Sequence, residues 1–119
     1  MSKRPRKTLE LIHRLFQEDP RRHVLFFSPV ESDESAARQL LALESGAAVE
    51  DVDARPASSA VLAAAEVVRA WDLEIDTTPR PTLKDVLRKI QSAILRSPVD
   101  VIVFDAPAAI RNEKERSGK

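Results

Sequence analysis

The chain has 119 residues, enough for one domain with a single core, and its 19 Lys+Arg against 19 Asp+Glu leave no net charge pointing to nucleic acid or a membrane surface. It has no cysteine, which excludes disulfides, a thiol nucleophile and a thiolate metal site, and fits a reducing cytoplasm. Its longest apolar runs fall far short of the ~20 residues that a membrane-spanning helix needs, so no membrane partner is expected.

Residues 1–7 form a basic flexible arm, with Lys3, Arg4, Arg6 and Lys7 around Pro5. A solvated, frayed terminus explains it most simply. The sharper reading is an arm resting on the phosphates of a nucleic acid. The arm leads into an amphipathic stretch rather than an apolar one, so it is not a secretory signal. Thr8 is placed to cap a helix running to about Glu18, with Leu9, Ile12, Leu15 and Phe16 on one buried face. Asp19-Pro20 ends that helix. Residues 23–28 (HVLFFS) are a continuous apolar run that reads as a strand buried on both faces, closed by Pro29.

Ser32 or Asp33 starts the next helix, to about Ser45. Ala36, Ala37, Leu40, Leu41 and Leu43 mark its packed side, and Gly46 suits its C-terminal cap. Residues 47–56 are a connector with room for one helical turn around residues 49–52. Ser58 or Ser59 caps an alanine-rich helix ending near Trp71, its alanines allowing close approach to a sheet and Trp71 plugging the core. Residues 72–76 (DLEID) form a short strand with Leu73 and Ile75 as its apolar pair. After a turn at residues 77–79, Thr82 caps a helix to about Leu95. Leu83, Val86, Leu87, Ile90 and Ile94 recur there at the helical period, the clearest such pattern in the chain. Residues 99–110 (VDVIVFDAPAAI) open with a β-branched run that reads as a strand buried on both faces and delivering Asp105 to its carboxyl end. Residues 111–119 are a charged flexible tail.

Strands alternating with helical crossovers predict an α/β domain over residues 8–110, with about three parallel strands flanked by helices and at least one open sheet edge. Three blocks of residues carry a resemblance. Residues 23–32 (HVLFFSPVES) with 36–46 (AARQLLALESG) are similar to VLFFSLEMS and the leucine-rich helix after it in the RecA-like motor domain of DnaB-type replicative DNA helicases. Residues 73–83 (LEIDTTPRPTL) resemble that family's L-x-I-D-D-T-P-x-x-T-x-x-x-L segment, and residues 101–110 (VIVFDAPAAI) its Walker B strand, I-V-I-D-Y-L-Q-L. The resemblance implies a small three-layer, P-loop NTPase-like fragment, truncated and degenerate, and a link to DNA replication.

The departures set the functional expectation. The family's P-loop wraps phosphates with glycine-borne backbone amides and adds Lys and Ser/Thr. Here residues 3–8 read KRPRKT, so Lys7 and Thr8 match the final pair, but Arg6 stands in place of a glycine and Pro5 removes a donor. The position of the family's catalytic glutamate holds Val30, and Glu31 is one residue further on, reachable only through a local slip. Asp105 matches the aspartate that the resemblance assigns to magnesium. A carboxylate ending a strand can equally hydrogen-bond nearby loop groups.

The expected function is therefore a non-catalytic binding module, self-associating or docking on a replication or helicase protein, with no cofactor. Two other readings stand beside it. One is a residual nucleotide binder that holds ATP and Mg through Lys7, Thr8 and Asp105. The other is a non-functional remnant or an excerpt of a longer protein, against which Met1 and the polar ends are set. His13 and His23, isolated in sequence and without spaced carboxylates, predict no metal site. Ser28 lacks the G-x-S-x-G context of a hydrolase.

Overall fold

The computed structural model describes residues 5–105. Residues 1–4 of the basic arm, the 106–110 end of the predicted domain and the charged stretch 111–119 lie outside the described residues. The fold is mixed α/β: α1 (Lys7–Glu18), β1 (His23–Phe27), α2 (Asp33–Ser45), α3 (Val49–Ala54), α4 (Ser59–Arg69), β2 (Asp72–Asp76), α5 (Leu83–Arg96) and β3 (Val101–Phe104). The three strands form one parallel sheet in the order β2-β1-β3. This is the predicted class, consistent with a small RecA-like fragment. The chain divides into two compact units, a helical one of residues 5–22 and 32–72 and a sheet unit of residues 23–31 and 73–105.

In the helical unit, α1 and α4 each pack on α2. Leu9, Ile12 and Phe16 are the buried face of α1, as their spacing predicts, and the Phe16 ring stacks on Trp71 with centroids 4.6 Å apart. Trp71 is a core residue, as expected. The helix starts differently from the prediction. Arg6 is the N-cap and Thr8 lies inside the first turn, and the N-cap makes no side-chain capping bond. The buried Gln39 accepts the Arg6 N–H through Oε1 at 2.8 Å. At the other end, the Arg22 guanidinium donates to Leu15 O, satisfying a terminal carbonyl of α1.

The α2 helix is bounded as the sequence requires. Ser32 Oγ accepts from Ser35 N–H, and Gly46 takes the left-handed C-cap at φ 79°, a conformation a β-carbon would strain. Its buried face is Ala36, Gln39, Leu40 and Ala42, so Ala37 of the predicted stripe points outward. A second small cluster joins Ala42 to Val49 and Val52 of α3 and Val61 of α4. Of the alanines on α4 only Ala64 is buried, and within its unit the helix meets α2.

In the sheet unit, β1 is buried along its whole length. It pairs with β3 in register, Val24 to Val101, Leu25 to Ile102, Phe26 to Val103 and Phe27 to Phe104. Residues 25 and 27 therefore share a face with Ile102 and Phe104. Against that face α5 packs Val86 and Ala93, with Ile90 and Val99 alongside. The Thr82 capping box is complete, Thr82 Oγ1 accepting Asp85 N–H and Asp85 accepting Thr82 N–H.

Two expectations are corrected here. The apolar stripe of α5 is only partly used: Leu83, Leu87 and Ile94 are each more than half exposed. And β3 is not buried on both faces, since Ile102 and Phe104 alternate outward at 36% and 38% exposure while Val103 is buried. Both have one cause. A helix over the central strand covers one strand's width, and β3 lies at the sheet edge. Phe16→Ala should cost about 3–5 kcal/mol of stability, whereas Leu62→Ala, at an exposed apolar position of α4, should cost no more than about 0.5 kcal/mol; urea unfolding of the two variants checks this.

Candidate functional site at the carboxyl ends of the strands

The three strands end at Asp76, Ser28 and Asp105, on the side where parallel sheets present ligand-binding groups. Ser28 ties the ends together. Its backbone N–H donates to Asp76 O of β2 at 2.9 Å, and its hydroxyl donates to Asp105 Oδ2 at 2.8 Å. The Asp105 N–H in turn donates to Phe27 O at 2.8 Å. Both side chains are buried, Ser28 at 0% and Asp105 at 5% exposure. Asp105 is thus positioned where the sequence places it, with one carboxylate oxygen held by the adjacent strand end.

Residues 28–31 make a turn, closed by Glu31 N–H to Ser28 O, in which Pro29 supplies the fixed φ and Val30 stands 57% exposed. Glu31 is half-buried at the end of this turn. Lys7 and Thr8 belong to the helical unit, Lys7 exposed and Thr8 half-buried in the first turn of α1. The predicted group therefore divides: Ser28, Glu31 and Asp105 lie in the sheet unit, Lys7 and Thr8 in the other. Magnesium needs one or two carboxylates plus phosphate oxygens. Among the described residues Asp105 belongs to no group of three acidic or histidine ligands.

Beside this edge, Asp76 accepts from Thr78 N–H and pairs with Lys89 of α5 at 2.6 Å. Burial alone raises the Asp76 carboxyl, but the Lys89 and Thr78 hydrogen bonds outweigh it and hold the pKa below its ordinary value. Lys89 is also bonded to Thr78 Oγ1. Asp76 and Lys89 line a small cleft between α5 and β2, of about 190 Å³, with Glu74, Ser92 and Arg96 further along.

Sequence reasoning set His23 aside, yet it anchors the opposite end of β1. The ring is buried at 4% exposure. Its Nε2–H donates to Glu74 Oε2 at 2.5 Å, while Nδ1 lies 2.9 Å from Pro98 O and 3.0 Å from Ser97 Oγ. Its backbone N–H donates to Asp100 Oδ2, and Arg96 also bonds Glu74. Both ring nitrogens are thus engaged, one by β2 and the other by the segment leading into β3. The partners are separated from His23 by as many as 77 positions, so no local motif announces them.

Glu74 gives the sheet unit a pH dependence of defined sign. Burial raises its pKa, but hydrogen bonds from His23 and Arg96, with their charges, outweigh this and hold it below the ordinary 4.5. A carboxylate depressed in the folded state stabilises above its unfolded pKa, and that contribution is lost as pH falls through the folded value. Stability should therefore drop on acidification from about pH 5 downward, and Glu74→Gln should flatten part of that drop; urea midpoints of the two proteins over this range measure it. No family model and no curated protein matches the chain.

Proposed function

We propose that the chain is a non-catalytic binding module, related to the motor domain of DnaB-type replicative helicases and linked to DNA replication, acting by self-association or by docking on a replication or helicase protein. One observation carries the non-catalytic part. A phosphate site at a helix start needs backbone N–H groups open to the ligand. At the start of α1 the Arg6 N–H is taken by the buried Gln39 of α2, and Pro5 before it has none to offer. One amide at this helix start is thus committed to the protein's own side chain.

The surrounding residues support the same reading. Val30 occupies the position that the resemblance gives to the catalytic glutamate, in a turn fixed by Pro29. Asp105, the aspartate matched to magnesium, spends one oxygen on Ser28. A parallel sheet with apolar surface along one edge remains, which suits protein contact.

The competing nucleotide reading predicts a measurable effect. A ligand at ten times its Kd stabilises by about 1.4 kcal/mol, which is several degrees in Tm for a domain of this size. With millimolar ATP and magnesium, the protein should show no shift that Lys7→Ala removes, and no phosphate release. Magnesium-dependent hydrolysis abolished by Asp105→Ala would overturn the proposal.

A further inference from the structure

The sheet has two unlike edges. The β2 edge carries Glu74 and Asp76, paired with Arg96 and Lys89 of α5. Charged residues of this kind guard an edge against further strands. The β3 edge carries Val101–Phe104 without a charge, and among the described residues no strand lies beyond it.

The position of α5 extends this apolar surface. Val86, Ile90 and Ala93 point down onto the sheet. At 100° per residue, Lys89 and Arg96 project to one side of that row and Leu83, Leu87 and Ile94 to the other. Lys89 and Arg96 bind β2, so the leucines and Ile94 flank the β3 side. They stand 53%, 51% and 53% exposed, beside Ile102 and Phe104 on the same face of the sheet.

The backbone defines what fits there. Asp105 N–H bonds β1, so the strand alternation turns the peptide groups of Ile102 and Phe104 away from β1 and outward. An occupant must supply a strand with two outward peptide groups in the same alternation, no charge, and apolar side chains on the α5 face. Among the described residues β3 itself meets all of these conditions, and β2 fails on charge.

From this we propose that a second copy of the chain occupies the surface, β3 pairing antiparallel with β3 of the partner about a two-fold axis perpendicular to the sheet. Such an axis keeps each side chain on its own face, so residues opposite one another must both be even or both be odd in number. Ile102 then lies opposite the partner's Phe104 as a hydrogen-bonded pair, Val103 opposite the partner's Val103, and every outward peptide group between 102 and 104 is satisfied. The two α5 helices stand about three strand spacings apart, ~14 Å, close to the 10–12 Å width of a helix with its side chains. Leu83, Leu87 and Ile94 of both copies close the gap over a floor of Ile102 and Phe104.

This names the partner for the binding role proposed above and rests on that role; a monomer would overturn the dimer while leaving the ATP experiment to decide the non-catalytic reading. Light scattering over a concentration series should give twice the 13.3 kDa chain mass. Leu87→Glu with Ile94→Glu, both on exposed positions, should raise the dimer Kd at least tenfold with the circular dichroism spectrum unchanged. The absence of cysteine allows a register test. Oxidised Val103→Cys should form a covalent dimer, its α-carbons facing at ~4.5 Å, whereas Phe104→Cys, ~8 Å from its mate by strand rise and spacing, should not. A monomer at every concentration, a dimer indifferent to the glutamates, or cross-linking through Phe104→Cys alone would each overturn the proposal. So would capture of the edge by residues 106–119 of the same chain, seen as a monomer that dimerises when they are removed.

Discussion

The sheet unit depends on β1. Five consecutive residues there are buried, with a strand on each side, and such a position tolerates no unpaired polar group. Burying side chains like Leu25, Phe26 and Phe27 stabilises by roughly 1.5–3 kcal/mol each. Polar chemistry is thereby displaced to the two ends of the strand, His23 and Ser28. Each end is wired to both neighbours. His23 reaches Glu74 on β2 and Asp100 just before β3, and Ser28 reaches Asp76 on β2 and Asp105 after β3. The alignment of three short strands follows from these few bonds as much as from the ladder between them.

From that centre the two sides of the sheet diverge. Toward β2, α5 presents Lys89 and Arg96 to carboxylates, and the exposed ion pairs there are worth little individually. Their effect is to make an edge that repels an incoming strand. Toward β3 the same helix presents leucine and isoleucine, and the strand has no charge. A single amphipathic helix lying over the central strand thus makes one edge polar and the other apolar. Which flank faces which edge is decided by the positions of Lys89 and Arg96 on the helix.

Most of the architecture was legible because its signals are local. The Asp19-Pro20 stop, Ser32 and Thr82 as caps, Gly46 at φ 79° and the unbroken run of β1 each act within a turn or a strand, and each sits where expected. What was not legible is set at a distance. Periodicity says which side of α5 is apolar, but how much is covered depends on the number of strands beneath, so Leu87 and Ile94 read like Val86. β3 reads like β1, since a β-branched run does not disclose whether another strand lies beyond it. Gln39 fell within the apolar stripe of α2, three positions after Ala36, a polar residue at a core position that could have signalled a buried bond. The Ser28–Asp105 bond, by contrast, joins residues 77 apart and has no local signature.

At each of the two places where the resemblance would put nucleotide chemistry, one polar group is engaged by the protein itself. At a phosphate-binding helix start the amides stay available because glycine lets the backbone wrap the anion and leaves them no other acceptor. Here an acceptor arrives from α2, and exchanging it for phosphate would leave the buried Gln39 carboxamide without that bond. At the strand ends a metal-binding carboxylate must keep lone pairs free, yet the Ser28 hydroxyl occupies one of the Asp105 oxygens at 2.8 Å, in a buried setting where breaking the bond is expensive. In both cases the polar group is bonded to a neighbouring element of the fold. A sheet can thus keep an aspartate at its carboxyl edge bonded to the adjacent strand end, and among the described residues the exposed apolar side of α5 lies beside a β3 edge that no further strand pairs with.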